Sequence, residues 1–469
     1  MLTMNTVKRL FAVITLMVIL LTSSVSVLAE QPAFQHTLPV IMLTVDEDAL
    51  WNETDGMLTE GPNVDKNQLP FKNTVYRETM DLLRDGHIKM IMPDGTVMLD
   101  QDMKITVTGH FDLDYPQKSF KLHALENEAF TGKLFDNRER DAFGSLLLSN
   151  SEQDNLDTHV RGMFFSNLLD QYGSTVLHQA FRPVAVYLNG IYWGMYALGE
   201  MADAEWIAWY TQTDANGICV ASGSGSVDET ASGSDWKTIQ KDQPTYKEII
   251  RHLADNPPCD SEENLLYLET HIDVDSYLDW LAYETFVGNS NIGIERFYRA
   301  PGGKWKWMSW SNAYSLFNSE YDSVKFYAKD SGFGATKVDN TIFRSLMQIP
   351  KYKNHFMEKV GRIFQFCTID RMNGILDPLV MSVSEEMMLH CVRWAHEDNQ
   401  SVDMMVPNEP YAYYEYWQRR ILRMHNSIGK RRGLLWDMVQ SYYQLTDDEM
   451  TQWFGEAPAT WQDLFQSGQ

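Results

Sequence analysis

The chain has 469 residues, with 39 Lys and Arg against 64 Asp and Glu, for a formal charge of −25. This acid excess repels a phosphate backbone, which excludes a nucleic-acid partner, and it favours solubility and attraction of basic partners or divalent cations. A hydrophobic content of 44% suffices for a large core, spread over two lobes or two to three domains.

The first 29 residues carry a basic Lys8-Arg9, an apolar run from Leu10 to Leu21, and a small and polar stretch ending Val27-Leu28-Ala29. That is the pattern of a secretory signal peptide cleaved near Ala29, with an apolar core too short to span a bilayer comfortably. Its removal takes away two basic residues, so the formal charge becomes 37 − 64 = −27. No later segment is apolar enough for a membrane span, and the expected product is secreted or held at the cell surface. Cys219, Cys259, Cys367 and Cys391 form an even set, which in an oxidising destination permits disulfides in three pairings. Buried free thiols are the equal alternative in a chain of this size.

Leu38 to Val45 reads as an opening strand, and Asp46 to Asn73 is turn-rich and acidic. Further strands are expected at His87 to Met92, Lys104 to Thr108, Ser119 to Leu125, and Ser145 to Leu148. Val160, Met163, Phe164 and Leu168 give the stripe of a helix that ends at Gly173. In Arg182 to Glu200, two apolar runs flank Asn189-Gly190, the dipeptide that supplies both positive φ angles of a type I′ hairpin turn. Taken alone, Glu200 at the end of that hairpin reads as a solvated terminus. Ser222 to Ser234 is a Ser/Gly-rich loop without the Lys-Ser/Thr of a phosphate-binding loop. Asp275 is expected to cap a helix from Ser276 to Phe286. Lys304 to Trp310 reads as a strand with Trp305 and Trp307 on one face, and the pattern is helical from Thr341 onward. Residues 30–200 are therefore a β-rich half and residues 201–469 a helix-rich half of an α+β protein.

The hairpin VYLNGIYWGMYALGE resembles a signature of the CotH family of spore-coat kinases, and so does PQKSF from Pro116 to Phe120. The resemblance runs from LPVIMLTV to the helix containing TIFRSLMQIPKYKNHFMEKV, and it implies a two-lobed atypical protein-kinase-like fold using ATP and Mg²⁺. It assigns Lys118 to nucleotide phosphates, a role that suits a flexible point charge. Arg161 would orient phosphate or pair with Glu200. Asn289 and Asn291 would lie near the metal. Read without the family, Lys118 is simply a surface lysine.

Against the family pattern, Asn291 stands where an aspartate is expected, and in KWKWMSWSNAYSL Ser311 and Ala313 occupy the places of two more. Phosphoryl transfer depends on positioning and on charge neutralisation by Mg²⁺, which seeks carboxylate oxygens. The expectation is a catalytically degenerate member acting in surface or coat assembly. The alternative is an active kinase on exported or spore-coat proteins. Replacement carboxylates nearby in sequence are Glu295, Glu320, Asp322, Asp112 and Asp114. There is no GxSxG elbow and no HExxH, and a carbohydrate-binding surface built on residues such as Tyr192 and Trp193 is an outlying reading.

Overall fold

The computed structural model describes residues 36–67, 70–223, 236–257, 260–290, 295–328, 340–396 and 406–458. The signal segment, nearly all of the Ser/Gly-rich loop, Cys259 and Asn291 lie outside them.

Seven strands close into a barrel in the order β1 (Val40–Val45), β2 (Arg84–Ile91), β3 (Val97–Thr108), β4 (Ser119–Ala124), β7 (Ser145–Ser149), β9 (Ile191–Glu200) and β8 (Phe181–Leu188). Neighbouring strands are antiparallel except at the closure, where β1 and β8 run parallel from Val40 opposite Ala185 to Leu43 opposite Leu188. Closure leaves no unpaired sheet edge. Two short strands, β5 (Phe130–Thr131) and β6 (Ala142–Phe143), pair beside it. The α+β class holds, and the closed barrel replaces the open sheet of an ordinary kinase lobe.

The β8–β9 hairpin turns at Asn189 and Gly190, with φ of 49° and 80°, as the dipeptide predicts. Asn189 also staples the closure. Its Oδ1 accepts from the Val45 amide at 2.9 Å, and its Nδ2 donates to the Val45 carbonyl at 2.8 Å. One side chain thus satisfies both backbone groups where β1 ends.

Helix α1 (Arg161–Tyr172) follows the barrel's middle strands and ends at Gly173 in the left-handed region, the C-terminal stop expected of glycine. The helices after Glu200 include α2 (Ala204–Thr211), α3 (Tyr246–Asp255), α4 (Glu262–His271), α5 (Val274–Val287), α6 (Thr341–Met347), α7 (Pro350–Phe366), α8 (Ile369–Trp394), α9 (Pro410–Tyr443) and α10 (Asp447–Phe454). A small sheet of β10 (Cys219–Ser222), β11 (Arg296–Arg299) and β12 (Lys306–Met308) lies among them. Trp305 and Trp307 are both buried, with Trp307 stacked on Phe297 at 5.3 Å. The cap of α5 is Asp273, not Asp275: the Asp273 carboxylate accepts from the Ser276 amide. Asp275 sits in the first turn, where it pairs with Lys359 at 2.8 Å and His355 at 3.0 Å. Cys219, Cys367 and Cys391 are buried free thiols.

One hydrophobic cluster runs from the barrel interior through α1, α5, α7, α8 and α9, and the described residues from Thr37 onward belong to one compact unit. No helix among them is long and apolar enough to cross a membrane. Helix α8 packs directly on β9 at Gly194, whose φ is 114°. A Cβ there would lie 2.6 Å from Trp394 Nε1 and 3.1 Å from His390 Nδ1. Glycine at this point of the hairpin motif is therefore a packing requirement as well as a conformational one. Gly194→Ala is expected to destabilise the protein by about 1–3 kcal/mol, read as a lower urea midpoint with unchanged slope.

Candidate functional site

A cavity of about 50 Å³ opens where the end of β7, the first half of α1, the β8–β9 pair and the loop after β12 converge. Ser149, Ser151, Glu152, His159, Ser311 and Ala313 are among its walls. Among the described residues ten that are not glycine have positive φ, and four of these, Ser151, Glu152, His159 and Ser311, line this one cavity. Each left-handed residue costs roughly 1–2 kcal/mol, and such conformations gather at functional sites because surrounding contacts over-determine them. Those contacts are visible. Ser149 Oγ accepts from the Ser151 amide at 3.0 Å, and Asn150 Oδ1 accepts from the Glu152 amide at 2.9 Å. Ser151 Oγ donates to the His159 carbonyl at 3.1 Å.

Across the cavity Ser311 Oγ donates to Glu152 Oε2 at 2.6 Å. Burial, followed by the field of Asp112, pushes the Glu152 carboxyl up to about 7. Asn289, just beyond the glycine that ends α5, donates from Nδ2 to the Ser311 carbonyl at 3.2 Å. Tyr283 donates to Asn312 Oδ1 at 2.6 Å. Behind this layer, burial pushes Glu284 and Glu295 each up to about 8. His159 is 1% exposed, and burial pushes its imidazole down to about 4. Its ring meets the His390 ring edge-on at 4.5 Å.

Three of the positions singled out in the sequence meet here: Ser311 and Ala313 on the wall, and Asn289 directly behind Ser311. Arg161 begins α1 next to the cavity, and its side chain is fully engaged. Nε donates to Asp154 at 3.1 Å, one terminal nitrogen to the Ser315 carbonyl at 2.9 Å, and the other to Asp157. Its expected partner Glu200 is elsewhere. Glu200 is fully buried rather than solvated, because the strand it ends is a barrel strand. Its carboxylate accepts from the Ala180 amide and from Tyr210, each at 2.9 Å, and lies 3.5 Å from Arg138.

Lys118 is likewise not a surface lysine. It is 5% exposed, donates to the Tyr115 carbonyl at 2.7 Å, and lies 4.2 Å from the centre of the Tyr76 ring. It does not line the cavity, and its segment reaches it through Asn150. Asn150 Oδ1 accepts from Ser119, and its Nδ2 donates to the Gln117 carbonyl at 2.8 Å. Of the replacement carboxylates, Asp114 is bound to Arg77 at 2.5 Å and Asp322 caps a short helix. Glu152 was not among the candidates, nor were His159 and Asn150. The one local signal at this place is the turn-forming run Ser149-Asn150-Ser151 ahead of Glu152, from which the sequence reading drew nothing.

Burial pushes the Lys118 ammonium down to about 8. With its folded value below the unfolded one near 10.5, the unfolded chain binds more protons between those limits, so this residue's contribution to stability improves as pH rises from 8 to 10.5. Relative to Lys118→Met, the wild type should gain on the order of 3 kcal/mol over that window, measured by urea unfolding of both proteins at several pH values.

Residues 105–435 match the family model described as CotH kinase protein. No curated protein matches the chain. The matched span begins in β3, ends within α9 and contains every wall of the cavity, so the chain belongs to the CotH kinase protein family.

Proposed function

We propose that this protein is an exported CotH-family member whose phosphoryl-transfer cleft is degenerate and which serves as a binding component in surface or coat assembly. The observation that carries this reading is the occupancy of positions 311 and 313. Ser311 spends its hydroxyl on Glu152, and Ala313 has no ligand atom. Three further facts agree. The cavity, at about 50 Å³, is far below the roughly 300 Å³ at which small-molecule pockets begin. The Arg161 guanidinium is committed to Asp154, Asp157 and Ser315. Lys118 is committed to Tyr115. These residues do not fit Mg·ATP as arranged, so no transfer step is assigned to them.

In this reading the strands through Glu200 and the helices after it correspond to the two lobes of an atypical kinase, with the cavity between β7, α1 and the loop after β12 as the remnant of the cleft. Export rests on the basic and apolar pattern of the first 29 residues. Scarcity of ATP outside the cell further favours a binding role, with an exported or coat protein as partner.

Glu152 supports one competing reading, an active kinase acting on exported or coat proteins. It places a carboxylate on the wall opposite the missing aspartates, which would serve as a substitute ligand. Isothermal titration of the mature chain with ATP, with and without Mg²⁺, separates the two. The degenerate reading expects no metal-dependent heat. Micromolar binding that requires Mg²⁺ and disappears in both Lys118→Ala and Glu152→Gln would replace it with the kinase reading.

A further inference from the structure

The chain carries a formal charge of −25, yet one face of α9 gathers arginines. Arg419, Arg420 and Arg423 follow Tyr416 by about one or two helical turns, which places these side chains on the same side of the helix. Beside them lies Phe317, in the loop after β12. Its ring centre is 4.5 Å from the Arg423 guanidinium, 5.5 Å from that of Arg420 and 5.8 Å from that of Arg161. The Tyr416 ring centre is 5.7 Å from the Arg420 guanidinium, and the Tyr416 hydroxyl lies in the fields of Arg423 and Arg419.

The carboxylates that answer this charge are Asp154 and Asp157, and both are already engaged. Asp154 accepts from Arg161 at 3.1 Å, while Asp157 receives Arg161 on one oxygen and Arg420 on the other. Among the described residues Arg419 and Arg423 have no carboxylate partner, and Glu415, one turn before Arg419, forms no ion pair with it. Arg423 donates one N–H to the Phe317 carbonyl at 3.0 Å. Arg420 Nη2 is buried without a hydrogen-bond partner, and such a group calls for an explanation. Burial, then the charge of Arg161, lowers the Arg423 guanidinium from its ordinary value, and burial, then the charge of Arg423, does the same to Arg420. Four guanidiniums thus meet two carboxylates, which leaves an excess of two positive charges.

From this we infer that this face of α9 is a binding site for a phosphate monoester borne by a protein side chain, held by Arg419, Arg420 and Arg423 beside Phe317 and Tyr416. Guanidinium offers phosphate oxygens a planar fork of donors, and a phosphate monoester brings a charge of about −2 at neutral pH, which matches the local excess. Phe317 and Tyr416 are half-buried, so each leaves ring surface on which the carbon side of an ester can pack. None of these five residues lines the cavity described above, and the site needs neither metal nor nucleotide. The inference deepens the binding role proposed above and rests on it only for the partner's being a protein.

The test is isothermal titration of the full mature chain, without metal or nucleotide, with a short Gly/Ala peptide carrying one phosphothreonine. One peptide should bind per chain, and the same peptide with glutamate in place of phosphothreonine should give no heat. Hydrogen bonds between charged groups are the strong ones, so Arg419→Gln and Arg423→Gln should each weaken binding about 10-fold or more. Arg423→Lys keeps the charge without the fork and should fall between the wild type and Arg423→Gln. Arg419 is exposed and bonds to no other described residue, so its variant keeps the test intact if those at 423 fail to fold. Inorganic phosphate, the free source of the same chemistry, should compete more weakly because it leaves both rings uncovered. The inference is overturned by absence of phosphopeptide binding, by equal binding of the glutamate peptide, by affinity unchanged in Arg419→Gln and Arg423→Gln, or by inorganic phosphate competing as well as the peptide. Phosphopeptide binding together with Mg²⁺-dependent ATP binding would keep this site and remove the degenerate reading, and binding of neither would do the reverse.

Discussion

The buried ion cluster around Arg161 is the constraint on which the joining of barrel and helices depends. Arg161 and Asp154 are 2% and 1% exposed, and taking both charges out of water is costly unless every donor and acceptor is met. Here they are met from several directions. Asp154 accepts from the Thr158 amide and hydroxyl, from the Arg161 amide and from Arg161 Nε. Arg161 reaches on to Asp157, which also receives Arg420 from α9, and to the Ser315 carbonyl in the loop after β12. The Thr158 carbonyl accepts from Trp417, again on α9, at 2.8 Å. Loss of one member would strand the others as buried charges, so the turn, helix α1, the loop after β12 and α9 hold their places together. The cavity walls are drawn from the same segments, and their geometry is inherited from this cluster.

A second buried cation does comparable work at the end of α5. Arg431 of α9 is 0% exposed and donates to the Thr285 and Phe286 carbonyls at the end of α5, to the Ser319 and Tyr321 carbonyls and to the Ser323 hydroxyl. Helix ends leave carbonyls without internal partners, and this guanidinium supplies donors to them. It packs against Gly288, where a Cβ would come within 2.9 Å of its Nη2. Gly288 is followed by Asn289, so the residue behind Ser311 is set by a contact with a helix some 140 positions away in sequence.

Such distances explain what the sequence did and did not disclose. The hairpin at Asn189-Gly190, helix α1 with its stop at Gly173 and the alternating strand at Ser119 were legible, because turn chemistry and hydrophobic period act over a few residues. The frame KWKWMSW was equally legible as the strand β12, and Ser311 and Ala313, which follow it, line the cavity. Closure of the barrel was not, since the parallel pairing of β1 with β8 joins residues well over a hundred positions apart. The burial of Glu200 follows from that closure and was missed with it. Lys118 was misread as a surface residue because the Tyr76 ring that covers its ammonium comes from a distant part of the chain, whereas the Tyr115 carbonyl that it bonds is local. Asp275 lost the cap to Asp273 because both carboxylates suit the role, and the one two residues further on found Lys359 and His355. Glu152 meets Ser311 across 159 positions, and no local pattern records such a meeting.

The cavity's chemistry turns on where its negative charge sits. Aspartates at 311 and 313 would put two carboxylates on the loop wall, facing Glu152 across a space of about 50 Å³. With Asp112 already raising the Glu152 carboxyl, three carboxylates confined there would repel one another strongly unless a cation lay between them. Serine and alanine relieve that repulsion and allow the Ser311 hydroxyl to hold Glu152 by a hydrogen bond instead. Three of its left-handed residues, Ser151, Glu152 and His159, are held by side-chain hydrogen bonds from Ser149, Asn150 and Ser151, which do not involve positions 311 and 313. Charge and shape are thus supplied by different residues of this cavity: the side chains at 152 and 311 set the first, and Ser149, Asn150 and Ser151 hold much of the second.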